Sequence, residues 1–250
     1  MPHALLLYAP GTNCDQETAF ALKKVGFTVD YHYIDNLVRT PDTLHRYELL
    51  VLPGGFTYGD DIASGKVLAL KLKRYLKSEI EAFIQAGKLI LGICNGFQVL
   101  VKTNILGDGK ISLVTNLSGH FECRWIHLKS TTHKCVFTNG LDVFDLPVAH
   151  AEGRLVGDTS YIEELEHRNE IALKYVDEHG NPTMEYPHNP NGSLHAIAGI
   201  TDSTGRVLGL MPHPERFIFH YQHPSWNIAA TDPVGIRFFV NAYEYIKHNL

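Results

Sequence analysis

Residues 88–101, KLILGICNGFQVLV, constrain what this chain can fold into more than any other stretch. Leu89, Ile90 and Leu91 form a short apolar run that reads as a buried strand, and the run stops at Gly92. G-x-C-x-G follows with Cys94 at its centre, and Phe97, Val99, Leu100 and Val101 then suggest a helix. A strand that turns into a helix through small residues is the geometry of a nucleophile elbow, where a strained turn lifts one side chain clear of the sheet. Helix N-terminal amides and the helix dipole favour negative charge, which suits a cysteine that works as a thiolate. The pattern equally fits an ordinary buried cysteine, which behaves as a small apolar residue, and a motif this short does not choose between the two.

An elbow needs a sheet around it, and the flanking sequence supplies one. Residues 3–8 read as a first buried strand, and Pro10-Gly-Thr-Asn13 turns it into a helix that begins near Cys14 and Asp15. Residues 27–33 and 47–52 read as two further strands. Residues 62–86 have helical spacing and end at Gly87, a C-cap that leads into the elbow strand. Strands alternating with helices predict an α/β three-layer sandwich with a mostly parallel central sheet. Beyond the elbow helix, residues 112–115 and 123–128 and later short runs predict a smaller antiparallel β region that ends near Pro190. Residues 195–200 and 206–210 resume as paired strands around Asp202-Ser-Thr-Gly205, and Asp232-Pro233 opens a C-terminal helix as N-cap and first helical residue. No linker or repeat interrupts the 250 residues, so residues 1–250 are expected to form one domain.

Composition narrows the function classes. A net charge of −5 offers no footprint for nucleic acid or an anionic membrane, and neither is expected as a partner. The apolar run at residues 4–9 lacks a basic flank and is too short for a signal peptide or a span, so a cytoplasmic location is expected. Cys14, Cys94, Cys123 and Cys135 form no C-x-x-C pair, and the 15 histidines show no metal-ligand spacing. Neither a disulfide framework nor a metal is expected; one cysteine is a catalytic candidate, and the other three read as bland. No phosphate-binding loop and no G-x-G-x-x-G occurs, so no cofactor is expected in this chain.

A thiol that attacks an amide needs a base, and the base needs an orienting group. Met211-Pro-His-Pro-Glu215 offers both. Each proline biases the residue before it toward extended backbone, and in an extended segment His213 and Glu215 share a face. The segment follows an apolar strand, at the end where open α/β sheets gather ligands. A surface loop punctuated by prolines has the same composition. Leu52-Pro-Gly-Gly-Phe56, past another strand, offers backbone amides that with the amide of Asn95 would make an oxyanion hole, and it equally reads as a plain β-turn.

With cysteine elbow, Gly-Gly turn and H-P-E in this order, the chain resembles the class I, triad-type glutamine amidotransferases. The strings GTNCDQET, LPGGFTYGDD, GICNGFQVL, FECRW, PVAHAEGR, YVDEHGNPT, NPNGS, IAGITDSTGRVLGLMPHPER and HPSW are similar to those of one family among them, the glutaminase subunits of phosphoribosylformylglycinamidine synthase. The resemblance covers residues 11–226 and implies a flavodoxin-like amidotransferase fold. It implies Cys94 as nucleophile, His213 as general base and acid, Glu215 as its orienter, and Gly55 and Asn95 as oxyanion donors. Gly54, Gln98, Asn116 and Ser118 are implied as glutamine-binding positions.

The implied reaction is hydrolysis of L-glutamine through a cysteine thioester. Its ammonia would go to a synthetase subunit, with a small third subunit in some assemblies, that aminates formylglycinamide ribonucleotide in de novo purine synthesis. ATP and magnesium would belong to that synthetase. Asp61-Ile62-Ala63 departs from the Tyr-Leu-Arg string of many relatives, which removes any partner contact an arginine would make there. Two other readings fit the same residues: a free-standing cysteine hydrolase or peptidase, and a non-catalytic glutamine-binding regulatory subunit.

Overall fold

The computed structural model describes residues 1–228 and 232–250. In chain order the elements are β1 (His3–Tyr8), α1 (Asp15–Val25), β2 (Thr28–Tyr33), α2 (Ile34–Arg39), β3 (Leu49–Leu52), α3 (Lys66–Tyr75), α4 (Lys77–Gln85), β4 (Leu89–Ile93) and α5 (Asn95–Lys102). Then follow β5 (Ile111–Thr115), β6 (Glu122–Ser130), β7 (Val143–His150), β8 (Glu152–Gly157), α6 (Thr159–His167), β9 (Ile171–Val176), β10 (Ile197–Thr201), β11 (Val207–Leu210) and α7 (Gly235–Asn249).

A nine-stranded sheet runs in the order β2-β1-β3-β4-β11-β10-β9-β6-β7. Its first five strands are parallel, and their 2-1-3-4-5 order is the doubly wound, flavodoxin-like one. The central strands read as unbroken apolar runs because helices cover them: every residue of β3, β4 and β11 is buried. Right-handed crossovers place α1 on one face and the β3-to-β4 connection on the other, because the strand order reverses beside β1. Accordingly α1 packs with α7, while α3 packs with α5.

Several details depart from the sequence expectations. The antiparallel strands β10, β9, β6 and β7 continue the main sheet, and only β5 and β8 form a separate two-stranded sheet. The helix expected over residues 62–86 starts at Lys66, because Ile62 and Gly65 take positive φ of 72° and 71°. It breaks at Leu76, whose φ is −128°, although the buried stripe Leu68, Leu72, Leu76, Ile80 and Phe83 continues across the break. The last helix begins at Gly235 with Val234 as its N-cap, so Asp232 and Pro233 form the turn before it. A Cβ at Gly235 would lie 2.0 Å from Pro214 O, and this close approach seats α7 against the segment that follows β11.

The topology sets the site. The C-terminal ends of β1, β3, β4 and β11 lie side by side, and their loops carry Cys14, Gly55, Cys94 and His213. Among the described residues no helix is long and apolar enough to cross a membrane.

Candidate active site

Cys94 sits between β4 and α5 with φ 51° and ψ −103°. A non-glycine residue held there stores of order 1–3 kcal/mol, which the surroundings must over-determine. They do so by close packing. A Cβ at Gly96 would fall 1.9 Å from Leu52 O, and one at Gly92 would fall 2.5 Å from Leu100 Cδ1, so β3, β4 and α5 approach too closely for any side chain at either position. The Cys94 amide donates to Leu210 O at 2.7 Å, which ties the elbow to the end of β11. Its Sγ points toward Ala149 O at 3.7 Å and is 5% exposed.

His213 follows β11, with its amide on Pro147 O at 2.9 Å. Its Nδ1 and Glu215 Oε1 are 2.6 Å apart, and both residues are 1% exposed. The carboxylate accepts Nδ1–H and so turns Nε2 inward, where no partner among the described residues meets hydrogen-bond geometry with it. The Cys14 sulfur lies within 4.8 Å of a nitrogen of the ring, and Cys94 lines the same cavity as the ring. Burial opposes a charge on this imidazole, but Glu215 and the Cys94 sulfur outweigh it, and the His213 pKa is raised well above its usual value.

Around these residues lies a cavity of about 350 Å³, lined among others by Gly55, Asp60, Cys94, Gln98, Glu152 and His213. Gly55 takes φ 144°, and a Cβ there would lie 2.8 Å from Asn13 N. The bonds from Asn13 N to Gly54 O and from Phe56 N to Gly11 O flank its bridge to Thr12, so the Gly55 amide points away from that segment. Asn95 opens α5, where an amide has no intrahelical carbonyl to bond. One backbone N–H from each side of the elbow is therefore free to meet a developing oxyanion.

The Asn95 side chain builds the wall behind it. Its Oδ1 accepts from Thr57 Oγ1 at 2.6 Å, and its Nδ2 donates to Asp60 Oδ1 at 3.2 Å and to Gln98 Oε1 at 2.9 Å. Gln98 Nε2 donates in turn to Glu152 O, and Ser64 N donates to a Glu152 carboxylate oxygen. Burial pushes the Asp60 carboxyl pKa up, and the nearby Glu152 charge adds to the rise against hydrogen bonds from Ser64, Gly65 and Asn95. This end of the cavity is acidic.

Cys94, His213, Gly55 and Gln98 line the cavity, and Glu215 and Asn95 bond His213 and Gln98 from behind; Gly54, Asn116 and Ser118 do not line it. Gly54 packs against the base, since a Cβ there would fall 2.9 Å from His213 Cε1. Asn116 spends its amide on backbone: Nδ2 donates to His120 O and His150 O, while Oδ1 accepts from Gly153 N. That oxygen also fixes His150 through Nδ1 at 3.1 Å. Burial, with repulsion from His213, pushes the His150 pKa down to about 3 and keeps it neutral. Ser118 bonds Glu122 at the surface.

Sequence reasoning missed Cys14, read as bland, along with Asp60, Glu152 and Arg216. Cys14 lines the cavity, and Arg216 donates to its Sγ at 3.1 Å while bonding Glu17 at 2.8 Å. Burial pushes the Cys14 thiol pKa up against His213 and Arg216, which pull it down. No spacing rule links these residues, and only the proximity of Arg216 to the H-P-E string hinted at them.

The profile of the CobB/CobQ-like glutamine amidotransferase domain matches residues 1–246. The chain is 44% identical over 251 residues to phosphoribosylformylglycinamidine synthase subunit PurQ of Dehalococcoides mccartyi, covering 97% of each chain. It is 41% identical over 267 residues to the subunit of the same name from Methanococcus maripaludis strain C7, covering 99% of this chain and 98% of the other. Its fold superposes on a chain of PurLQS from Thermotoga maritima with a TM-score of 0.76 at 33% identity, covering 98% and 99% of the two chains.

Proposed function

The chain belongs to the glutamine amidotransferase family of phosphoribosylformylglycinamidine synthase PurQ subunits, and on that premise we propose how its own residues release ammonia. It is a glutaminase subunit of purine biosynthesis. The observation that carries the residue assignment is the convergence of Cys94 and His213 on one cavity at the ends of the adjacent parallel strands β4 and β11, with Glu215 bonded to the base from outside the cavity. The Cys94 thiolate attacks the glutamine carboxamide carbon. The Gly55 and Asn95 amides hold the oxyanion, and His213, oriented by Glu215, gives its proton to the leaving nitrogen. His213 then takes a proton from water, which attacks the glutamyl thioester and frees Cys94. The acidic end formed by Asp60 and Glu152 suits the ammonium of the amino acid, and Gln98 shapes that wall.

The ammonia passes to a synthetase subunit that aminates formylglycinamide ribonucleotide to the amidine. We assign ATP and magnesium to that subunit, a cytoplasmic location to the complex, and one domain to residues 1–250. The test is Cys94→Ser in the reconstituted complex. Glutamine-dependent synthesis should vanish while synthesis from added ammonia persists, and loss of both activities together would refute the assignment.

A further inference from the structure

His150 has no step in the mechanism above, yet it lines the same cavity as Cys94 and His213 and is 3% exposed. It ends β7, the strand that runs along both catalytic residues: Pro147 O accepts from His213 N at 2.9 Å, and Ala149 O lies 3.7 Å from Cys94 Sγ. Asn116 decides which ring nitrogen carries the proton. Its Nδ2 donates to His120 O and His150 O, two acceptors that only an amide nitrogen can meet, and its Oδ1 accepts from Gly153 N. The group 3.1 Å from His150 Nδ1 is therefore an acceptor, so Nδ1 bears the hydrogen and Nε2 a bare lone pair. Nε2 is buried and has no hydrogen-bond partner among the described residues, in a side chain that forms part of the cavity wall. We propose that His150 is a further catalytic residue, whose Nε2 accepts an N–H of the glutamine carboxamide and holds that nitrogen as it leaves.

The leaving nitrogen needs such an acceptor. In the tetrahedral intermediate it carries two hydrogens and one lone pair, and the lone pair must face His213 to take the proton. A fixed acceptor for one N–H restricts rotation about the carbon–nitrogen bond and keeps the lone pair in that direction. The proton then passes from His213 to nitrogen, the carbon–nitrogen bond breaks with its electron pair going to nitrogen, and His150 neither gains nor loses a proton. A donor left unpaired in a buried place costs free energy, so the acceptor counts most where the substrate has displaced water. Burial keeps the ring neutral, with its pKa pushed down to about 3, so Nε2 stays an acceptor and does not compete with His213 as a donor. It also gives no proton to the freed ammonia, which must stay uncharged to act as a nucleophile. The ring is seated against the β8 backbone, where a Cβ at Gly153 would fall 2.5 Å from its Nδ1. This role rests on those proposed for Cys94 and His213.

Two substrates separate this role from a structural one. The reconstituted complex is assayed with glutamine and with the γ-methyl ester of glutamate, whose leaving oxygen brings no hydrogen for Nε2 to accept. His150→Phe should lower kcat/KM for glutamine about 5- to 150-fold, the cost of one unpaired donor, with the loss in kcat and KM little changed. Hydrolysis of the ester should stay at the unsubstituted rate, which also shows that the variant is folded. Asn116→Ala, which frees the tautomer, should show the same selectivity with a smaller loss. Synthesis from added ammonia is the control for the synthetase. A mutation-free measurement stands beside these: nitrogen-15 NMR of the unsubstituted chain should show His150 neutral, with its proton on Nδ1, from about pH 8 down to about pH 5, where an ordinary histidine has become charged. Equal losses on the two substrates, no loss on glutamine, or a proton on Nε2 would overturn the proposal. Full hydrolysis of both substrates by Cys94→Ser would count instead against the roles given to Cys94 and His213.

Discussion

Glu215→Gln tests the centre of the mechanism, because it changes charge with little change in shape. Nδ1 of His213 and Oε1 of Glu215 are 2.6 Å apart in a place where both residues are 1% exposed. A hydrogen bond to a charged group contributes about 1.5–3 kcal/mol, and at 1.36 kcal/mol per decade its loss should slow thioester formation roughly 10- to 150-fold. Gln can still accept Nδ1–H, which keeps the tautomer and explains why the loss is partial. A second effect is structural. Glu215 Oε2 is buried with no hydrogen-bond partner among the described residues, so an amide nitrogen there becomes an unpaired donor and should lower stability by about 1–3 kcal/mol.

The pH dependence has a definite sign. Glu215 is the main group raising the His213 pKa, so the protonated imidazole persists to higher pH in the folded protein than in the unfolded chain. Its contribution to stability is complete below about pH 6.5, the ordinary histidine value, and is lost as pH rises through the raised pKa. Without the carboxylate, that pKa falls. The basic limb of kcat/KM for glutamine should move to lower pH, and thermal stability should drop most below pH 6.5. The assay is glutamine-dependent product formation by the complex across pH, with the ammonia-dependent rate as control. A loss under threefold, or a basic limb that stays in place, would refute the role of Glu215.

Gly96→Ala puts a Cβ 1.9 Å from Leu52 O, where only backbone can yield; it should lower stability by about 3 kcal/mol or more and distort the elbow, read by thermal melting and glutaminase rate. Asn116→Ala leaves Gly153 N and His150 Nδ1 without their acceptor and should cost about 1–3 kcal/mol, with KM for glutamine unchanged once the protein is folded; a selective rise in KM would restore it as a substrate ligand. Glutamine hydrolysis by the chain alone should rise roughly 5- to 150-fold when the synthetase, formylglycinamide ribonucleotide and ATP are added, the range of a 1–3 kcal/mol coupling, and full turnover without partner would argue against gating.

Short-range chemistry was legible from the residues alone. A strand, a small-residue turn and a helix define the Cys94 elbow within 14 positions, and Glu215 does meet His213 two residues away, but through a 3-10 turn over Pro214–Arg216 and not through the extended backbone that the prolines predict. Those relations depend on local backbone geometry, which spacing encodes directly. Strand order is different, because period-two and period-3.6 patterns say which faces are buried but not which strand lies beside which. Hence the antiparallel strands β6, β7, β9 and β10 joined the main sheet unforeseen, and Asn116, implied as a substrate ligand, became the clamp on His150. Cys14 is the clearest case. It follows β1 and His213 follows β11, and no motif spans that interval. Only the placement of β3 and β4 between β1 and β11 closes it, aligning four strand ends so that a second thiol meets the same imidazole.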